Sequence, residues 1–175
     1  MKKDLSNIKK AKYLLDNNHC VAIPTETVYG LAANAYSDKA TSKIFKLKKR
    51  PKSNPLIVHY SRVQDLKKDC EINSNFQKLY SKFSPGPLTF VLKLKKESKI
   101  SKNVTNGKNT LAVRFPKNLV TRNLLSYLKY PLAAPSANIY TQLSPVSKKD
   151  VKDEFGNKIK LILDGGNSKV GLEST

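Results

Sequence analysis

The chain has 175 residues and a mass of 19.6 kDa, and 33 basic against 13 acidic side chains leave a formal charge of +20. This is one domain's length, and 39% hydrophobic residues suffice for one core, which argues against disorder along the chain despite the charge. No apolar run reaches the roughly 20 residues of a membrane span, and the N-terminal Met1-Lys2-Lys3-Asp4 lacks the apolar stretch of a signal peptide. Cys20 and Cys70 provide neither a disulfide framework nor a zinc-ligand spacing, so the composition predicts a soluble, cytoplasmic protein of a single domain.

In chain order, Leu5, Ile8, Ala11 and Leu15 recur near helical spacing and predict a helix over 5–17. Cys20-Val-Ala-Ile23, closed by Pro24, reads as a buried strand. Asp38 is placed to cap a helix from about 39 to 49 that buries Ile44, Phe45 and Leu47. Leu56-Ile-Val58 is a second buried strand, and Phe76, Leu79, Tyr80 and Phe83 mark a helix after it. Leu88–Leu94 and Leu111–Val113 are apolar strands joined through the turn-rich 98–109, which breaks strict βαβ alternation. Asn118 can cap a helix carrying Leu124, Leu125 and Leu128, while Leu132-Ala-Ala134 and Lys160-Leu-Ile-Leu163 complete the strands. Interleaved strands and helices predict an α/β domain with a mixed sheet.

The chemically informative residues cluster at strand ends, where open α/β sheets carry ligands. Pro24-Thr-Glu-Thr-Val-Tyr-Gly30 packs two hydroxyls, a carboxylate and a phenol into seven residues. It reads either as a ligand loop or as a strand-to-helix turn capped by Thr25 or Thr27. Lys48-x-Arg50-Pro51 places two cations where a proline stops a helix, an arrangement suited to phosphate, with a solvated helix end as the plainer alternative. His59 closes the Leu56–Val58 run; with His19 the only other histidine, a metal site is not expected. Ser84-Pro-Gly-Pro87 is a rigid turn. Arg114 ends an apolar strand, where burial is costly without an anionic partner, and so few acidic residues suggest an anionic ligand. Pro135-Ser-Ala-Asn138 and Ser144-Pro145 add hydroxyl and amide groups.

There is no Gly-x-x-x-x-Gly-Lys-Ser/Thr loop, no Gly-x-Gly-x-x-Gly fingerprint, no nucleophilic elbow and no activation cue beside either cysteine. The residues alone predict an anion-binding cleft, for a ligand such as a nucleotide. Taken together and in order, Pro24–Gly30, Lys48-x-Arg50-Pro51, Asn54–His59, Pro85-Gly-Pro-Leu-Thr89, Ala112-Val-Arg114, Ala134–Asn138, Ser144-Pro145 and Glu173-Ser-Thr175 resemble the signatures of the YrdC-like family, the threonylcarbamoyl-AMP synthases. The resemblance spans about residues 8–175. It implies a twisted mixed sheet with flanking helices and a concave basic face. It implies a reaction joining L-threonine, bicarbonate and ATP into threonylcarbamoyl-adenylate with release of pyrophosphate, for modification of tRNA adenosine 37 by downstream tRNA threonylcarbamoyl-transferase proteins. ATP is then a substrate that carries Mg2+ with it, and no metal is bound by the protein itself.

By the same resemblance, Thr27, His59, Arg114, the Ala134 backbone and Ser174 form the threonine and carbamate shell. Lys48, Arg50, Asn54, Thr110, Ser136, Asn138 and Ser144 form the nucleotide shell, with Lys48 and Arg50 facing phosphates as the catalytic cations. Family members continue past Glu-Ser-Thr into a further strand and usually an Arg-bearing segment, so residues 1–175 are expected to be a single domain without that last segment.

The competing reading is a non-catalytic module that binds nucleotide or RNA. Four of the 33 basic residues are arginine, leaving 29 lysines, and seven basic residues fall between Lys39 and Lys52. Such a surplus attracts polyanions, so weak tRNA or duplex-RNA binding is expected, although 15 asparagines point equally to a general lysine and asparagine bias. Lys93–Lys96 and Lys148-Lys149 read as solvated strand ends and turns. A third reading, a domain detached from a hydrogenase-maturation protein, wants zinc-finger cysteines and an acylphosphatase-like segment that are missing.

Overall fold

In the computed structural model, which describes residues 2–174, the first predicted helix forms as α1 (Lys2–Asp16) and buries Ile8, Ala11, Leu14 and Leu15 along one stripe. It leads into β1 (Val21–Ile23) and then β2 (Gly30–Asn34). Helix α2 (Asp38–Lys48) follows, capped by Ser37, whose hydroxyl accepts the Ala40 N–H, rather than by Asp38, which lies in the first turn. After Lys48 the backbone turns left-handed at Lys49 (φ 51°), and the Arg50 N–H bonds back to the Phe45 carbonyl, ending the helix before Pro51. Strand β3 (Ile57–His59) and the short α3 (Val63–Leu66) precede α4 (Ser74–Phe83) and β4 (Thr89–Lys93). The one-turn α5 (Lys102–Thr105) joins β4 to β5 (Thr110–Arg114). Helix α6 (Leu119–Tyr127) starts as predicted at Asn118, whose side chain accepts the Val120 and Thr121 N–H groups; β6 (Leu132–Ala133) and α7 (Lys148–Phe155) complete the order.

The six strands form one mixed sheet in the order β1-β2-β6-β3-β5-β4, with β3 and β5 parallel and the other pairs antiparallel. Three readings are corrected. Residues 30–34 are a strand; Gly-Leu-Ala-Ala is buried on both faces and so lacks the alternation that marks a strand. Lys148 and Lys149 open a helix, set by a reciprocal capping box between Ser147 and Asp150. Residues 160–163 make only an isolated parallel bridge, Ala22 to Ile162, not a full strand.

The two sheet faces are covered unequally. Leu31, Ala33, Val58, Phe90, Leu92, Leu111, Val113 and Ala133 point into one core with Ile44 and Phe45 of α2 and Phe76 of α4. On the opposite face α1 and α6 pack on Val21, Ile23, Ala32, Leu132 and Ala134. Their cover stops at β6. Beyond it, on that same face, Ile57 and Ala112 are half-buried and Val91 is 69% exposed. The candidate site occupies this boundary between covered and open sheet. Among the described residues, no helix is long and apolar enough to cross a membrane.

Candidate active site

Strand register sets the first part of the site: Arg114 pairs with His59 of β3 on one side and Thr89 of β4 on the other. The Arg114 side chain is 4% exposed, and a carboxylate of the protein, that of Glu26, supplies a counter-charge where the scarcity of acidic residues suggested an anionic ligand. Its Nη2 donates to Glu26 Oε1 at 2.6 Å, Nη1 to Thr27 Oγ1 at 2.8 Å and Nε to the Gly86 carbonyl at 3.2 Å. A Cβ at Gly86 would collide with the Phe83 carbonyl, so the turn that presents this acceptor requires glycine. Three of the five guanidinium N–H groups are thereby used, leaving two for a ligand. Glu26 is fixed in turn by the Lys117 N–H, which it accepts at 2.8 Å.

Thr25 Oγ1 donates to the Val28 carbonyl at 2.6 Å, so the 2.9 Å contact between the two hydroxyls is a donation from Thr27 to Thr25. With its proton committed, Thr27 can offer a ligand only a lone pair. The opposite holds at Ser174, which accepts from Thr89 at 2.7 Å and keeps its own proton to donate.

His59 is 2% exposed and neither ring nitrogen has a partner in hydrogen-bond geometry. Burial, reinforced by the neighbouring Arg114 charge, holds its pKa down at about 3; the pull of the Leu132 backbone in the other direction is smaller. A buried imidazole with both nitrogens unpaired is costly, and it lines the cleft, where a ligand can satisfy it. His59 is expected to stay neutral from pH 5 to 8. Because its folded pKa lies below the ordinary 6.5, the unfolded chain binds the extra proton first, and stability is lost as pH falls from 6.5 toward 3. His59 ring 15N shifts that titrate near pH 6.5 in the folded protein, resolved from those of His19 by a His19→Gln variant, would contradict this.

The end of α2 delivers the two cations differently. Lys48 is 1% exposed and its ammonium donates to the carbonyls of Ser136 (2.5 Å) and Asn138 (2.6 Å) and to Asn138 Oδ1 (3.2 Å). All three donors are spent on the 136–138 loop, so Lys48 braces that loop and has no spare donor for the phosphate contact expected of it. Burial, then the Arg50 charge, lowers its pKa to about 8. Arg50 is half-buried and lines the cleft, with Nε directed at the Asn54 carbonyl (3.4 Å) and Nη2 at that of Pro55 (3.2 Å).

One open cleft brings together Thr27, Arg50, His59, Arg114, Ala134, Ser136 and Ser174 of the predicted residues. Lys48 and Asn138 lie immediately behind Ser136. Ser144 is joined to the cleft through Glu173, to which it donates at 2.7 Å, and Asn54 donates to the Tyr140 hydroxyl. Thr110 is not brought in: it shares the open face with Arg114 but begins the strand that Arg114 ends, roughly 13 Å away at the rise of a β-strand. Glu26, Glu173 and Thr89 are not among the predicted site residues, although each lies within a signature quoted above: Pro24–Gly30, Glu173–Thr175 and Pro85–Thr89. Both thiols are buried, with pKa values pushed up to about 12 by burial, which suits neither to nucleophilic work. Among the described residues, no group of three or more His, Cys, Asp or Glu is placed to hold a metal.

A Sua5/YciO/YrdC family model, described as "Telomere recombination", matches residues 13–175. The chain belongs to this family. It is 41% identical over 169 residues to the threonylcarbamoyl-AMP synthase of Pyrococcus abyssi, covering 96% of this chain and 49% of that protein. It is 40% identical over 171 residues to the Bacillus subtilis protein of the same name, covering 96% and 49%. The chain thus spans about half the length of these curated relatives. The crystal structure of P. abyssi Sua5 complexed with L-threonine superposes with a TM-score of 0.92 at 41% identity, over 96% of this chain and 49% of that one. The Escherichia coli YciO structure shares the fold, with a TM-score of 0.81 at 22% identity over 91% and 78% of the two chains. The Sua5/YciO/YrdC fold accounts for the mixed sheet; Thr175, which closes the Glu173-Ser-Thr175 signature, lies outside the described residues.

Proposed function

We propose that this chain is an L-threonylcarbamoyladenylate synthase that forms threonylcarbamoyl-AMP and pyrophosphate from L-threonine, bicarbonate and ATP. The observation that carries this reading is that one cleft holds two arginines in different settings, which the reading takes as an amino-acid end and a phosphate end. At the first, Arg114 holds two spare N–H groups beside the neutral, unpaired His59. At the second lies Arg50. A carboxylate fits the two Arg114 donors, and the lone pair of Thr27 fits an amine.

The chemistry needs no nucleophilic side chain. The threonine nitrogen, as the free amine, attacks the carbon of CO2 and releases a proton to solvent, or attacks bicarbonate, whose hydroxide leaves with that proton as water. A carbamate oxygen then attacks the α-phosphorus of ATP, and pyrophosphate leaves. Positioning and charge stabilisation carry the rate: Arg50 faces the phosphates, Ser136 and Asn138 are shaped by Lys48 from behind, and neutral His59 and the Ser174 hydroxyl address the carbamate. Among the described residues, Glu173 is the one carboxylate lining the cleft, and it accepts a hydrogen bond from Ser144; the reading takes Mg2+ as carried by the nucleotide. Supply of the adenylate to transferases acting on tRNA adenosine 37, in the cytoplasm, completes the reading.

The reaction is tested by mass spectrometry after incubation with 13C-bicarbonate, threonine and ATP. Threonylcarbamoyl-AMP carrying one 13C is expected; ATP binding without that product would favour the non-catalytic module. The lysine surplus should bind tRNA or duplex RNA weakly through phosphates, with affinity falling steeply as salt rises and little preference for sequence. Charge reversal at the surface residues Lys95 and Lys96 is expected to weaken RNA binding and spare pyrophosphate release. Turnover strictly dependent on RNA would contradict this.

A further inference from the structure

Tyr140 follows the Pro135–Asn138 word, is 36% exposed, and has no part in the chemistry above. The Arg50 guanidinium lies over its ring, with Cζ 5.7 Å from the ring centroid. The ring is tethered at both ends to the segment that carries Arg50. Its hydroxyl accepts the Asn54 Nδ2–H at 3.0 Å, and its backbone N–H donates to the Lys48 carbonyl at 2.7 Å.

The loop presenting it is itself fixed. The Ile139 N–H donates to Glu154 Oε1 at 2.8 Å, and Asn138 Nδ2 donates to the Gln142 carbonyl at 2.6 Å. Thr141 is held at φ +74°, a left-handed conformation that a β-branched residue adopts only under constraint, and such strain gathers at functional sites.

We propose that Tyr140, locked by Asn54, is a positioning residue that holds the plane of Arg50 toward the phosphates of the nucleotide. An arginine side chain otherwise loses much rotamer freedom on engaging a ligand; a ring fixed by two torsions and a hydrogen bond removes that cost in advance. Backbone carbonyls on Nε and Nη2 set one edge of the guanidinium, and the ring sets its face. The Asn54 amide then serves the nucleotide through Tyr140 rather than by contact.

The inference rests on the assignment of the cleft to ATP, so it is tested by calorimetric ATP binding, not by turnover. A protein that binds ATP but makes no adenylate would overturn the proposed reaction and leave this inference standing. Tyr140→Leu is expected to weaken ATP about 5- to 10-fold, and Tyr140→Phe, which keeps the ring, by no more than about twofold. Arg50→Lys keeps the charge but has no plane to orient, so in that background Tyr140→Leu should cost less than about twofold. An equal loss in both backgrounds, or unchanged affinity in Tyr140→Leu, would overturn the proposal. Should Tyr140→Leu not fold, Asn54→Ala frees the ring without removing it; its loss of affinity should vanish in the Arg50→Lys background, and an additive loss would overturn the proposal.

Discussion

Lys48→Met should unfold at markedly lower denaturant than the wild type and should lose about 100-fold or more in adenylate formation. The ammonium satisfies two buried backbone carbonyls and the Asn138 side chain, and each acceptor stranded in the variant costs about 1–3 kcal/mol. The loss of turnover is expected from release of the 136–138 loop, which the proposed function assigns to the nucleotide and which Lys48 braces. The pH dependence separates this from general damage. The folded pKa of Lys48 is about 8, below its ordinary 10.5, so between those values the unfolded chain holds the extra proton and this group makes stability rise with pH. That rise should be missing from Lys48→Met. A variant as stable as wild type, with an identical pH profile, would show that the buried ammonium holds nothing.

Arg114→Lys is expected to raise the threonine requirement about 10- to 100-fold while changing the ATP requirement less than about threefold. An ammonium keeps the charge but cannot bond the Gly86 carbonyl, Thr27 and Glu26 in one plane and still present two donors to a carboxylate. Arg114→Met should be worse in another respect: it leaves Glu26, 12% exposed, as a largely buried carboxylate without its cation, at a cost of about 3–5 kcal/mol in stability. Equal increases for threonine and ATP in Arg114→Lys would contradict the proposal that Arg114 holds the threonine carboxylate.

Much of this arrangement is legible in the sequence because it is local. Apolar runs of three or four residues mark β1, β3 and β5, and the proline after Lys48-Lys49-Arg50 marks the helix end that delivers two cations. What sequence leaves hidden is pairing across the chain. Nothing near Arg114 announces that Glu26, 88 residues away, supplies its counter-charge. Lys48 and Arg50, two positions apart, read as equivalent phosphate ligands, yet the helix end turns one into the protein and the other into the cleft. Strand β2 is hidden for a different reason: small residues buried on both faces carry no period.

The central claim is that this cleft joins an amino acid to a nucleotide through carbon dioxide, and an omission series for pyrophosphate release tests it most directly. With ATP, L-threonine and bicarbonate all present, the chain should release pyrophosphate in equal amount to threonylcarbamoyl-AMP. Leaving out threonine or bicarbonate should stop release. Pyrophosphate released without threonine, or none released by a folded protein that binds both ATP and threonine, would contradict the account.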